Sequence, residues 1–205
     1  MKTKKIIKKL ICIGLTCLFV LSGLAGCGGN KGGGTFIVEL YPEYAPETVE
    51  NFVKLAEEGF FDGLTFHRIV DGFMAQGGWL DADGAAKEAQ SIYGEFASNG
   101  FAQNTLKHTK GVISMARAND PNSANSQFFI MFGNAAFLDG DYAAFGKVTE
   151  GMDIIEKMQE VERKINSMGE KATPVKPVVI KKVTVLEKGD HPKIKFEIDE
   201  FEIKK

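Results

Sequence analysis

Cysteine, histidine and arginine are all scarce in this chain, and each scarcity narrows the chemistry open to it. The 205 residues hold three cysteines and three histidines. Cys12, Cys17 and Cys27 all fall in the first 27 residues, so no disulfide framework, thiol nucleophile or cysteine-bound zinc is expected in the folded part. There is no Gly-x-Ser-x-Gly, no His-x-x-His, and no glycine-rich loop running into Lys-Ser or Lys-Thr. The common hydrolase, zinc-hydrolase and phosphate-binding classes lose their support. Asp139, Asp141 and Glu150 fall at the first, third and twelfth positions of a calcium loop, but Ala143 offers no side-chain ligand at the fifth and Ala144 replaces the glycine at the sixth. Neither a metal nor a cofactor is expected.

What is present begins with an unusual N-terminus. Lys2, Lys4, Lys5, Lys8 and Lys9 precede an uncharged, mostly apolar run from Leu10 to Gly26, the pattern of an export signal. The run is shorter than the roughly 20 residues of a membrane-spanning helix and contains Gly14 and Gly23, which argues against the alternative of an uncleaved span. It ends in Leu24-Ala25-Gly26-Cys27, which resembles the bacterial lipobox. That resemblance implies that residues 1–26 are a removable lipoprotein signal peptide and that Cys27 is acylated. Two acyl chains on one residue give stable attachment, placing the protein on the extracytoplasmic side of a bacterial cell membrane. Loss of the signal moves the formal charge from -2 to -7, 20 basic against 27 acidic residues, which disfavours a nucleic-acid partner.

Residues 27–34, glycine-rich after Cys27, read as a flexible tether, with a folded domain over 35–186 and a C-terminal extension over 187–205. Thr35–Tyr41 suits a strand. Pro46 at a first helical position, acidic Glu47 and Glu50, and apolar Val49, Phe52, Val53 and Ala56 predict an amphipathic helix stopped at Gly59. Ile154, Ile155, Met158 and Val161 predict a second helix from about Met152 to Val161. Short apolar runs at 64–70, 112–116, 127–132, 143–148 and 178–186 alternate with Gly-, Asn- and Asp-rich turns, so a mainly β barrel or sandwich is expected. In the extension Ile194, Phe196 and Ile198 alternate with charges, and Phe201 and Ile203 continue in shifted phase. The pattern fits an added edge strand or a disordered end.

Two blocks stand out. One runs Phe66-His67-Arg68-Ile69-Val70-Asp71-Gly72-Phe73-Met74-Ala75-Gln76-Gly77-Gly78; the other runs Ser114-Met115-Ala116-Arg117-Ala118 and on to Asn125-Ser126-Gln127-Phe128-Phe129-Ile130. The chain uses only three arginines against 22 lysines, and Arg68 and Arg117 lie inside these blocks. Where charge alone suffices lysine is used, so Arg68 is expected to serve through its planar, permanently charged fork. His67, His108 and His191 read as structural hydrogen-bonders.

Both blocks, together with Phe137-Leu138-Asp139-Gly140 and Phe145-Gly146-Lys147-Val148, resemble the signature stretches of the cyclophilins, in the same order and spacing from about Thr35 to Leu186. The resemblance implies a closed eight-stranded antiparallel β-barrel capped by two α-helices, and peptidyl-prolyl cis-trans isomerase activity on proline-containing polypeptides. Position by position, it implies that Arg68 is the catalytic arginine and Gln76 the glutamine beside it. Phe73, Met74, Phe129 and Leu138 correspond to the pocket for the proline ring, Ala116 and Arg117 to the edge that pairs with the substrate backbone, and Gln127 to a further polar contact. Tyr142 stands where many members have histidine. Phe137 replaces the tryptophan whose indole binds cyclosporin in many members, which implies weakened cyclosporin binding. A monomer that assists folding of exported chains is expected; a non-catalytic binding module and a transporter's solute-binding lipoprotein are the alternatives.

Overall fold

The computed structural model describes residues 31–204; the expected signal segment and Cys27 lie outside the described residues. In chain order the elements are β1 (Lys31–Leu40), α1 (Pro46–Glu57), β2 (Arg68–Val70), β3 (Met74–Gly77), β4 (Val112–Met115), β5 (Phe128–Met131), β6 (Ala144–Glu150), α2 (Met152–Lys157), β7 (Arg163–Ile165), β8 (Lys171–Pro174), β9 (Ile180–Glu187) and β10 (Lys193–Glu202). Single turns of tighter helix lie at Ala97–Asn99, Ala136–Leu138 and Met158–Glu160. No described helix is long and apolar enough to cross a membrane.

Eight strands form one antiparallel sheet in the order β2-β3-β5-β4-β6-β1-β10-β9, and β7 and β8 make a separate hairpin. The expected closed barrel is therefore corrected to an open, curled sheet with β2 and β9 at its two ends. These ends share no strand ladder, because β2 is only three residues long. They meet instead through the irregular backbone before β2 and the start of β9: Phe66 N–H donates to Val178 O at 2.9 Å, Ile180 N–H to Leu64 O at 2.7 Å and Gly63 N–H to Ile180 O at 2.8 Å.

Alternation along the strands divides the sheet into two apolar faces. Between the inner face and α1 lie Phe36, Phe128, Phe145 and Phe196 of the strands, Phe52 of the helix, and Phe61 and Phe66 of the connection after it, all fully buried. Phe36 stacks on Phe196 with ring centroids 4.6 Å apart, and Phe52 lies 5.4 Å from Phe128 and 5.1 Å from Phe145. Each such ring contributes about 1.5–3 kcal/mol by burial. The other face of β3, β4, β5 and β6 carries a smaller cluster of Met74, Val112, Phe129, Met131 and Ala144. It supports the site described below.

Helix α1 starts at Pro46 as predicted but buries Leu55 with Val49, Phe52 and Ala56, leaving Val53 only partly covered. Its N-terminus has no local side-chain cap. The Glu95 carboxylate, 2% exposed, accepts from Glu47 N–H at 3.0 Å and Thr48 N–H at 2.8 Å. An anion from a distant loop thus satisfies the free donors and the positive end of the helix dipole.

The two ends of the described chain depart from expectation together. Lys31–Gly34, assigned to the tether, are strand, and β10 is neither an edge strand nor disordered: it lies between β1 and β9 and buries Ile194, Phe196, Ile198 and Phe201. The glycines serve packing rather than slack. A Cβ on Gly32 would lie 2.2 Å from the Phe201 ring, and Gly33 has φ +120, where a side chain is disfavoured. The register shifts between Gly32 and Gly34, and this bulge is why Phe201 continues the apolar pattern out of phase.

Candidate active site

Strand register assembles the site. Arg68 pairs with Gln76, Gln76 with Phe129, and Phe129 with Ser114. These four residues, from β2, β3, β5 and β4, form one row across the outer face of the sheet. Because side chains two apart share a face, Met74 and Met131 extend the same surface by one step. Residues 61 positions apart become neighbours in a band four strands wide.

A cleft of about 1000 Å³ opens over this row, and Arg68, Phe73, Met74, Gln76, Ala116, Arg117, Gln127, Phe129, Phe137, Leu138 and Tyr142 all line it. These are the eleven described residues that the resemblance assigns to the site. Met74, Phe129 and Leu138 form the buried apolar floor, and Phe137, 72% exposed, stands at the rim. Phe73 lies 5.6 Å from Phe137, and Tyr142 meets Phe129 edge-on at 6.0 Å. The result is a small apolar hollow with aromatic sides, suited to a compact ring.

A chain of polar side chains borders it. Arg68 Nη1 donates to Gln76 Oε1 at 3.2 Å, and Gln76 Nε2 donates to Gln127 Oε1 at 3.0 Å. On its other edge Arg68 Nε donates to Glu170 Oε2 at 2.7 Å and Nη2 to Glu170 Oε1 at 2.9 Å. Nη1 also donates to Met74 Sδ at 3.8 Å, so four of the five guanidinium N–H groups are engaged and one, on Nη2, is left over.

Arg117 differs from its expected part as backbone edge alone. Its guanidinium donates to Asp141 O at 3.1 Å and Ala118 O at 2.9 Å and lies over the rings of Phe96 and Tyr142. The side chain holds the wall of the cleft in place. Ala116 N–H donates to Gln127 O at 2.9 Å, which fixes the adjoining segment.

Beneath Phe129 lies an Asp–His–Ser sequence of contacts absent from the sequence reading. His108 Nδ1 is 3.0 Å from Asp139 Oδ1, its Nε2 is 3.0 Å from Ser114 Oγ, and its ring stacks on Phe129. Burial lowers the His108 pKa despite the neighbouring Asp139 carboxylate. A neutral ring donating from Nδ1 and accepting from Ser114 satisfies both partners. Burial alone would raise the Asp139 pKa, but hydrogen bonds from the His108 backbone and ring bring it below the usual value. Ser114 is fully buried and cannot meet a substrate, so the trio braces the floor rather than acting as a nucleophile. Asp139 is thereby committed to His108, and among the described residues no group of three acidic, histidine or cysteine side chains suits a metal.

The other histidines also make polar contacts, His67 with the Thr65 backbone and His191 with Glu43. His67 Nδ1 is buried without a partner, its ring meeting Trp79 edge-on at 5.5 Å. Burial lowers its pKa to about 4, reinforced by the adjacent Arg68 charge. His191 is on the surface, with Nε2 3.2 Å from Glu43. His108 is the structural hydrogen-bonder its residue type suggested; Glu170 and Asn166 are the supporting residues that sequence reasoning missed, since neither sits in a pattern that signals its partner.

Residues 29–185 match the cyclophilin type peptidyl-prolyl cis-trans isomerase family. The chain is 43% identical over 158 residues to a peptidyl-prolyl cis-trans isomerase-like 1 of Aspergillus fumigatus, covering 77% of this chain and 92% of that protein. It is 38% identical over 165 residues to a peptidyl-prolyl cis-trans isomerase of Streptomyces antibioticus, covering 77% and 96%. A cyclophilin type isomerase of Cryptosporidium parvum, crystallised in the presence of the dipeptide Ala-Pro, shares the fold with a TM-score of 0.58 at 24% identity, covering 75% of this chain and 96% of that one.

Proposed function

The chain belongs to the cyclophilin-type peptidyl-prolyl cis-trans isomerases, and from that premise we propose that it isomerises X-Pro bonds of polypeptides outside a bacterial membrane, tethered through Cys27. The observation that carries the catalytic part is that Arg68, set in one row with Gln76 and Phe129, lines the same cleft as the apolar Phe73, Met74, Phe129 and Leu138.

Rotation about the bond breaks amide resonance, with a barrier near 20 kcal/mol, and the spontaneous reaction takes about 10–100 s. In the twisted state the prolyl nitrogen regains a lone pair. An N–H of Arg68 donates to that nitrogen only then, which is binding specific to the transition state. The apolar hollow keeps the ring fixed while the preceding carbonyl swings, and Gln76 and Gln127 steady the backbone. Lowering the barrier by about 6 kcal/mol corresponds to roughly 10^4-fold acceleration. No proton is transferred and no bond is cleaved.

The extracytoplasmic assignment rests on the sequence: the lysine-rich start, the short apolar run and Leu24-Ala25-Gly26-Cys27. Exported chains emerge unfolded, and this reaction needs no nucleotide, so assistance to their folding fits. Only three residues separate Cys27 from β1, which keeps the domain close to the bilayer surface. Phe137 lacks a ring N–H donor, so weak cyclosporin binding is expected.

Relaxation of an Ala-Pro-containing peptide from cis to trans tests the activity. Acceleration by the full chain in detergent, lost in Arg68→Ala, supports the reading; no acceleration by folded wild type replaces it with a binding module. Membrane fractionation of wild type and Cys27→Ala tests the anchor, which is abandoned if both sediment alike.

A further inference from the structure

The β7–β8 hairpin packs beside β2 and brings Glu170 to Arg68, 102 positions away in the chain. Its tip, Asn166–Glu170, is a turn held by its own bonds: Asn166 Oδ1 accepts from Met168 N–H at 3.0 Å and Glu170 N–H at 2.9 Å, and Asn166 N–H donates to Glu170 O at 2.9 Å. Asn166 Nδ2 also donates to Glu170 Oε2 at 3.3 Å. The carboxylate that this turn presents is the one that grips Nε and Nη2 of Arg68.

We propose that Glu170 is a positioning residue: by gripping one edge of the Arg68 guanidinium it fixes the plane of the fork so that the opposite edge faces the prolyl nitrogen. The proposal rests on the isomerase reading above and deepens it. An arginine carried on a flexible stem loses its aim unless something holds the fork, and a two-point carboxylate contact fixes a plane as a single hydrogen bond cannot. Gln76 holds Nη1 from the other side, so the five side chains Asn166, Glu170, Arg68, Gln76 and Gln127 form one continuous hydrogen-bonded line along the cleft. The grip is intimate enough that hydrogen bonding from Arg68 holds the Glu170 carboxyl below its ordinary range. The same hairpin places exposed Ile165 and Met168 at the cleft's edge, so the element that aims the arginine also borders the path of the polypeptide.

The test compares wild type, Glu170→Gln, Glu170→Ala and Glu170→Asp as full chains in detergent, reading kcat and KM on an Ala-Pro peptide. Misplacing a catalytic group by a fraction of its length costs one to two powers of ten, so kcat should fall about tenfold in Glu170→Gln and Glu170→Ala with KM within twofold, and Glu170→Asp should recover part of it. In parallel, the three arginines give a simple Nε–H NMR spectrum. The Arg68 signal, assigned through Arg68→Lys, should be shifted and slowly exchanging in wild type and lose both properties in Glu170→Gln. Unchanged or raised kcat, or a change confined to KM, overturns the proposal. Were wild type itself inactive, the isomerase reading would fail, while the Nε–H signal would still report whether the grip exists.

Discussion

The two ends of the sheet are built for different tasks. At the site end, β2, β3, β4 and β5 are three or four residues long, and β4 and β5 are buried throughout. At the other end, β1, β9 and β10 run for ten, eight and ten residues, with phenylalanines and isoleucines inward and paired charges outward. Short strands bring many loops, and hence side chains of varied chemistry, to one surface; long strands supply an uninterrupted apolar interior that holds the curl. β10 also lies beyond the stretch, residues 29–185, that matches the family. Site and scaffold thus occupy different strands of one sheet, and mutations should separate their contributions.

The largest effect should follow deletion of residues 188–205, which removes β10 and leaves β1 and β9 without their shared partner. Loss of the cooperative thermal transition is expected, and a folded, active truncated chain would break the contrast at once. Phe196→Ala comes next. It deletes a fully buried ring stacked on Phe36 and should cost about 3–5 kcal/mol in urea unfolding, with kcat/KM intact wherever the protein remains folded. Arg68→Lys should show the reverse pattern. Charge is kept but the fork is lost, so kcat/KM should drop about 10–100-fold with stability nearly unchanged.

Acidification sharpens the comparison further, because His67 is a histidine of the site end held neutral by burial. Its folded pKa is about 4 against an ordinary 6.5, so between those values the unfolded chain binds a proton that the folded chain does not. The stability it contributes is complete above about pH 6.5 and is lost as pH falls towards 4. Urea midpoints measured across that window should fall, and fall less in His67→Gln. The smallest effect is expected for Lys195→Ala on the outer face of β10, where Lys195 pairs with Glu197: such surface ion pairs contribute about 0–1 kcal/mol.

Much of this contrast is legible in the residues. Helix α1, the start of α2 and most site-end strands follow from periodicity and turn residues, and all eleven described residues that the resemblance assigns to the site line one cleft. The misreadings share a cause. Composition makes the glycines at 32–34 read as a tether because it does not reveal the ring that lies against them, and the pattern of β10 reads as an edge strand or a disordered end because its partners, β1 and β9, are specified elsewhere. Glu170 escaped notice because its neighbours in the chain are Gly169 and Lys171, whereas the neighbour that matters is Arg68.

The sequence by itself determined the class of chemistry, the family and the residues that line the cleft, because these depend on side-chain types at short, ordered spacings. Only the tertiary structure decided that the barrel stays open, that the C-terminal strand belongs to the core, and that Arg68 is gripped by Glu170. Those outcomes depend on strand register and on contacts between residues a hundred positions apart, and local propensity carries no record of either.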